Sequence, residues 1–508
     1  MRKGIFALAA IAATLIALLV PPATAAVGVD SEELRDAVTP EAIEDHLEAF
    51  DLIGSSNGGT RASGTPGYAD SVEYVVETLE AAGYVPAVQT FTYEQWSETA
   101  PPLFAQLSPN AVVYADGVDF ATMEYSDSGL VAGGMLEAVD LVLPPGPSAN
   151  TSSSGCEAAD FAGFTAGNVA LIQRGTCSFA QKALNAAAAD AAGVVIFNEG
   201  QPGRTDVLFG TLGGPGPTGV PVIGTSFAVG DALAGLLTPG PVLVDLQTTT
   251  TVVSTETQNV IAETEGRSDR VVVAGAHLDS VPEGPGVNDN GSGSATILEI
   301  AVQMAELGIE PRNQVRFAWW GAEESGLIGS EFYVSQLTSR DIKDIAVNLN
   351  FDMVGSPNYA PFVYDGDGSD TPAAGPNGSG VVEDVFLDYF GSMDAPTWPT
   401  AFDGRSDYGP FIAVGIPAGG LFTGAEGLKT QDQEDAYGGM EGVAYDVCYH
   451  QACDTIANVN MDAIDLMSDA AAHAVLTFAM TTSAVNGTGQ GNGNGVGNLE
   501  FDGARRQR

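Results

Sequence analysis

Two histidines and a group of carboxylates stand where the chain leaves buried strands or enters constrained turns. His277-Leu278-Asp279 follows the apolar run Val271-Val272-Val273-Ala274, Glu323-Glu324 follows Phe317-Ala318-Trp319-Trp320, and Asp352 follows Val347-Asn348-Leu349-Asn350-Phe351. Asp289 lies in the turn-rich Asn288-Asp289-Asn290-Gly291-Ser292-Gly293, and His450 sits in a short loop bracketed by Cys448 and Cys453. Two imidazoles, three carboxylates and a spare glutamate form a nitrogen and oxygen donor set that suits two zinc ions with an open position for water. A single zinc needs only three of these groups. The other two histidines, His46 and His473, stand in helical patterns without acidic partners at strand ends and read as structural.

The elements that carry these residues alternate between strand and helix. From Asn259 onward the strands predicted are Val271 to Ala274, Val315 to Trp320, Ile345 to Phe351 and Val414 to Gly420, with a helix from Ser294 to Leu307. Ligands of open α/β sheets bind beyond the carboxyl ends of strands, so three strands deliver His, Glu-Glu and Asp to one edge. Upstream, Thr39-Pro40 opens a helix as N-cap and first turn, and a second helix runs from Tyr68 past Leu79 to Ala82-Gly83. A strand follows at Val88 to Tyr93. Between about Ala100 and Thr250 the texture changes to short β-branched runs broken by Gly, Pro and Ser, with a helix from Ser178 to Ala191. Histidine is absent from this stretch, which is assigned no chemistry.

Residues 1–26 have the basic start, apolar core and small-residue cleavage site of a secretory signal, so the protein is expected to be secreted. No interior apolar run approaches a membrane span, so no membrane association is expected after signal removal. In an oxidising compartment the sequence-local pairs Cys156/Cys177 and Cys448/Cys453 read as disulfides. A formal charge of -47 with four lysines excludes nucleic acid and anionic membranes as partners. The segment 484–508, rich in Gly and Asn, is expected as a flexible tail.

With these motifs in view, the chain resembles the secreted two-zinc aminopeptidases of the bacterial leucyl aminopeptidase and aminopeptidase Y type. Ala276-His277-Leu278-Asp279-Ser280, Asn288-Asp289-Asn290-Gly291, Trp320-Gly321-Ala322-Glu323-Glu324, Asn350-Phe351-Asp352-Met353, Gly404-Arg405-Ser406-Asp407, Gly420-Leu421-Phe422-Thr423-Gly424 and Cys448-Tyr449-His450 carry the likeness in order. It implies a three-layer α/β catalytic domain, made of 39–99 and 251–483, with a mixed, partly parallel central sheet flanked by helices. Residues 100–250, notably Ile172-Gln173-Arg174-Gly175-Thr176-Cys177, resemble an inserted small, β-rich protease-associated domain.

The resemblance further implies that His277 and Asp352 hold one zinc, that Glu324 and His450 hold the other, and that Asp289 bridges them. Asp279 would orient His277, Glu323 would serve as general base, Tyr449 would stabilise the oxyanion, and Arg405 would position substrate or pair with Asp407. Some family members also bind calcium near the last helix, where Asp465 and Asp469 are four apart. The expected partner is a peptide with a free N-terminus, cleaved after an apolar, leucine-like residue by a monomer. Rival readings are a carboxypeptidase on the same scaffold, a glutaminyl cyclase-like enzyme and a non-catalytic, receptor-like binding protein. The carboxypeptidase is expected to gather arginines for a C-terminal carboxylate, and the receptor is expected to have lost metal ligands.

Overall fold

A computed structural model describes residues 29–487, residue 217 excepted; the predicted signal segment and most of the Gly/Asn-rich tail lie outside them. In chain order the strands are β1 (Ala87–Ser108), β2 (Val112–Val113), β3 (Phe120–Thr122), β4 (Gly129–Ala138), β5 (Val169–Gln173), β6 (Gly193–Phe197) and β7 (Val222–Thr225). Then come β8 (Leu243–Glu263), β9 (Arg267–His277), β10 (Asn313–Trp320), β11 (Ile345–Phe351), β12 (Phe362–Tyr364), β13 (Trp398–Thr400) and β14 (Ala418–Phe422).

The half that carries the clustered histidines and carboxylates is organised by period-two burial on both faces of a sheet. Its strand order is β13-β12-β14-β11-β9-β10-β8, with β14, β11, β9 and β10 mutually parallel and β8 and β12 antiparallel to their neighbours. Val272, Ala274 and Ala276 of β9, with Val315, Phe317 and Trp319 of β10, join one core cluster, whereas Val271, Val273, Ala318 and Trp320 join another. The first cluster is covered by helices Pro40–Ser56, Pro66–Ala81, Gly293–Glu306 and Met461–Met480; the second by Ile328–Gln336 and Tyr408–Ala413. Sheets of this kind must be covered on both faces, which gives the predicted three layers. Each fully buried Val or Phe in them contributes roughly 1.5–3 kcal/mol of transfer free energy.

Helix starts follow the sequence signals. The Thr39 and Thr65 hydroxyls accept from the amides of Ala42 and Tyr68, each with proline in the first turn. Other elements shift. β14 begins at Ala418, four residues later than expected, because Tyr408–Ala413 forms a helix that closes through Gly415 in the left-handed region. Met461–Met480 is, contrary to expectation, long and apolar enough to cross a membrane, yet 67% of its apolar window is buried inside the fold. It is the central helix of the larger core.

The expected strand from Val88 to Tyr93 is part of a ribbon of 22 residues, β1, paired along its length with the 21-residue β8. Positions 100 and 250 fall inside that ladder, at a register shift between Glu98 and Ala100. The ribbon leads from the catalytic sheet into a second sheet of order β8-β4-β5-β6-β7-β3, in which β4 to β7 run parallel. Here too the residues alternate between two cores, Val194 and Ile196 on one face and Val195 and Phe197 on the other. Cys156 is bonded to Cys177 and Cys448 to Cys453.

Candidate active site

Register brings the strand-end residues level. His277 pairs across from Trp320, and Gly275 from Asn350, so that Asp352 ends beside His277 while Glu323 and Glu324 follow Trp320 at the same edge. Beyond β10 the chain turns through Ala322 (φ 58°) and Gly326 (φ 106°). The Asp279 carboxylate accepts from the amides of Glu323 and Glu324 at 3.1 and 3.3 Å, fixing that turn.

Asp289 is held before the helix Gly293–Glu306, and its peptide bond to Asn290 is cis. Its amide donates to Asp454 at 3.0 Å, and the Asn290 side chain reaches the Phe351 carbonyl and the amides of Met353 and Gly293. Ser406 donates to Asp352 at 2.6 Å and accepts from Asn350. His450 arrives on the disulfide loop with φ 56°, and Met353 next to Asp352 has φ 51°. Non-glycine residues in this region cost of order 1–3 kcal/mol each and persist where surrounding contacts over-determine them.

Asp289 stands between the histidines. Its Oδ1 lies 3.2 Å from His277 Nε2 and its Oδ2 3.2 Å from His450 Nε2. Asp352 Oδ1 is 3.4 Å from His277 Nε2, Glu324 Oε2 is 3.2 Å from His450 Nε2, and Glu323 Oε2 stands at 3.9 Å from His277. Two buried triads result, His277 with Glu323 and Asp352, and Asp289 with Glu324 and His450.

Burial alone would lower both imidazoles, but the carboxylates outweigh it, raising His277 well above its usual range and His450 to about 9. Burial alone would raise Asp289, yet hydrogen bonds from the two histidines hold it below the ordinary carboxylate range. Glu323 shares no such bridge, and burial pushes its carboxyl well up. Glu324 Oε1 is buried without a hydrogen-bond partner. Carboxylates in excess over imidazoles, with an orphaned buried oxygen among them, are a donor set that fits divalent cations.

A profile of peptidase family M28 matches residues 259–475, and a protease-associated (PA) domain profile matches 138–233. An aminopeptidase of Pseudomonas aeruginosa is 49% identical over 447 residues, covering 87% of this chain and 81% of that one. Leucine aminopeptidase 2 of Trichophyton rubrum is 41% identical, covering 82% and 80%. The chain belongs to peptidase family M28. A solved aminopeptidase from Aneurinibacillus sp. strain AM-1 superposes on the M28 peptidase with a TM-score of 0.69 at 26% identity, covering 88% of this chain and 95% of that one. The structure of a zinc aminopeptidase from Bacillus subtilis shares the fold at a TM-score of 0.58 and 23% identity, covering 86% and 94%.

Several residues of the M28 peptidase stand differently from expectation. The group nearest His277 Nδ1 is the backbone carbonyl of Asp279 at 3.0 Å, with the Asp279 carboxylate at 3.8 Å. Arg405 does not pair with Asp407; its guanidinium takes Glu426 at 2.7 and 3.3 Å and the Tyr449 hydroxyl at 3.2 Å. Asp407 is buried, its carboxyl pushed up to about 7 by that burial. Asp469, in the expected calcium position, faces Arg35 at 3.5 Å and the Tyr389 hydroxyl at 3.2 Å, while Asp465 is exposed. Arg35 thus brings its positive charge to the carboxylate expected to face calcium.

Sequence reasoning passed over Asp446 and Asp454, which flank the cysteine loop. Asp454 accepts from the amides of Asn288 and Asp289, and Asp446 from the Asn288 side chain at 2.7 Å. Their placement just outside Cys448 and Cys453, two residues before the one and one after the other, was the available signal. A further acidic group, Asp365, Asp367 and Glu383, lies apart from the centre. Asp365 and Glu383 accept backbone amides from Gly366 to Thr371, so they cap a turn.

Proposed function

We propose that this protein is a secreted, zinc-dependent aminopeptidase that uses two metal ions to release apolar N-terminal residues from peptides. The observation that carries the reading is Asp289, which turns one oxygen to each histidine at 3.2 Å, the disposition of a bridging carboxylate. His277 and Asp352 would hold one ion and Glu324 and His450 the other. Bound there, zinc supplies Lewis acidity and lowers the pKa of water toward neutrality.

The chain's own residues supply the rest. Glu323, buried and outside the bridging pair, takes the proton of the attacking water and delivers it to the leaving amine. Tyr449 accepts from Arg405, which leaves its hydroxyl proton free for the oxyanion that develops on the scissile carbonyl. The cavity of about 100 Å³ over the centre is lined by Leu327, Met353, Tyr364 and Phe422, walls suited to a leucine-sized side chain.

Beyond the residues assigned to metal, the same cavity presents Glu323 and Asp403, which attract an ammonium and repel a carboxylate. Its one arginine, Arg405, is committed to Glu426 and Tyr449, which weighs against a carboxypeptidase. The intact donor set weighs against a receptor. One chain carries every donor, so the reading needs no second copy. Secretion is supported by the pattern of residues 1–26 and by the two disulfides; N-terminal sequencing of protein from culture medium, beginning near residue 27, tests it.

Hydrolysis of leucine p-nitroanilide beside its N-acetylated form, each with chelator and then with added zinc, tests the activity. Cleavage of the free amine alone, lost to chelator and restored by two equivalents of zinc, is expected. Cleavage of the acetylated form, or indifference to chelator, would overturn the reading.

A further inference from the structure

The inserted domain does not simply stand beside the reacting centre; it closes one side of a second cleft that shares a wall with it. This cleft, of about 450 Å³, runs between the ribbon at Trp96 and Glu98, the inserted domain at Asp116, Glu124 and Phe209, and the catalytic loop at Glu283. It meets the centre at Glu324, which lines both cavities, is 6% exposed and has an Oε1 without a hydrogen-bond partner. No lysine, arginine or histidine lines it among the described residues.

Its walls are prepared for positive charge. Carboxylates come from both domains and from the ribbon, with Glu98 oriented by the Thr122 hydroxyl at 2.6 Å. The Trp96 ring is fixed by its Nε1 donating to the Ser126 carbonyl at 3.2 Å, and Trp96 and Phe209 line the cleft among the acids. Ammonium and guanidinium groups bind aromatic rings and carboxylates together. An acidic segment of substrate would meet repulsion from every wall.

We propose that this cleft holds the part of the peptide that follows the cleaved bond and selects lysine or arginine there. The proposal rests on the aminopeptidase reading above, since a peptide whose first residue occupies the centre must send the rest of its chain outward. The cleft lies next to the centre, with Glu324 as the wall that both share. The inserted domain then sets specificity downstream of the cleaved residue, while the apolar cavity sets it at that residue.

The test compares kcat/KM for Leu-Gly-Lys-Lys and Leu-Gly-Glu-Glu, each divided by that for leucine p-nitroanilide, which has no residues to occupy the cleft. The native holoenzyme is expected to favour the lysine peptide about tenfold at low salt, an effect that one or two partly desolvated charge contacts supply. The ratio should fall below about twofold in the triple variant Glu98→Gln, Asp116→Asn, Glu283→Gln and in roughly 0.5 M NaCl. No preference in the native enzyme, or a preference that survives the triple variant, would overturn the proposal. Failure to cleave leucine p-nitroanilide would instead count against the aminopeptidase reading. Fluorescence anisotropy of a labelled, N-acetylated Gly-Lys-Lys peptide on native and variant protein then decides the cleft by itself, since equal binding to both would sink it.

Discussion

Asp289 can face two ligand groups only because its neighbours hold it still. Asp454 takes its amide, Asn290 ties the next residue to the end of β11, and each of its own oxygens meets one imidazole. Glu323 lacks such a bridge, so Glu323→Gln should lower kcat about 10²–10⁴-fold with zinc content by mass spectrometry unchanged. Loss of an ion in that variant would make Glu323 a ligand instead. Tyr449→Phe should lower kcat about 10²-fold or more with little change in KM, as removal of one oxyanion donor does. The charge balance of the centre also has a pH signature in the metal-free protein. His450 has its pKa raised from 6.5 to about 9, so the folded state holds that proton more tightly than the unfolded chain. The stabilisation is complete below about pH 6.5 and is lost as pH rises through about 9. Thermal melts of chelated protein across that window should show Tm falling, and a rising Tm would exclude His450 as the carboxylates' counterion.

At the scale of elements, the centre depends on three parallel strands ending in step and on one loop with no strand beneath it. The strands are held by both cores, with Trp319 on one face and Trp320 on the other. The loop is held by Cys448–Cys453 and by Asp446 and Asp454 on either side. Closing so short a loop removes little entropy from the unfolded chain, so the bond's effect should fall on the metal rather than on global stability. Cys448→Ser with Cys453→Ser should weaken zinc binding about 10–100-fold, the usual cost of releasing a ligand from its support. Competition with a chromogenic chelator measures it, and unchanged affinity would show that the two aspartates suffice.

On the scale of the whole molecule, charge and connectivity dominate. Sixty-five acidic residues against 18 lysines and arginines leave -47 on one chain, so self-repulsion opposes the compact state. Added salt should raise the Tm of the holoenzyme, by about 1 °C for each 1 kcal/mol of repulsion relieved in a chain of this length, as differential scanning calorimetry would read. The insertion joins the catalytic sheet through the β1–β8 ribbon and shares a cleft with it, although its own sheet packs on separate cores. Much of the catalytic half was legible from sequence. A His or carboxylate just after four apolar residues marks the end of a buried parallel strand, and Thr-Pro marks a helix start, because these are local consequences of backbone geometry and burial. Arg405 was not legible. Its choice of Glu426 over the nearby Asp407, like Arg35's choice of Asp469, depends on which chain segments fold into reach. The same holds for Asp446 and Asp454, whose partners in the Asn288-Asp289 turn lie more than 150 residues away. The sequence by itself determined the layers, the donor types and the edge at which they gather. Only tertiary structure decided which oxygen faces which imidazole, how the arginines are spent and where the inserted domain meets the centre, because those contacts join residues that no local rule relates.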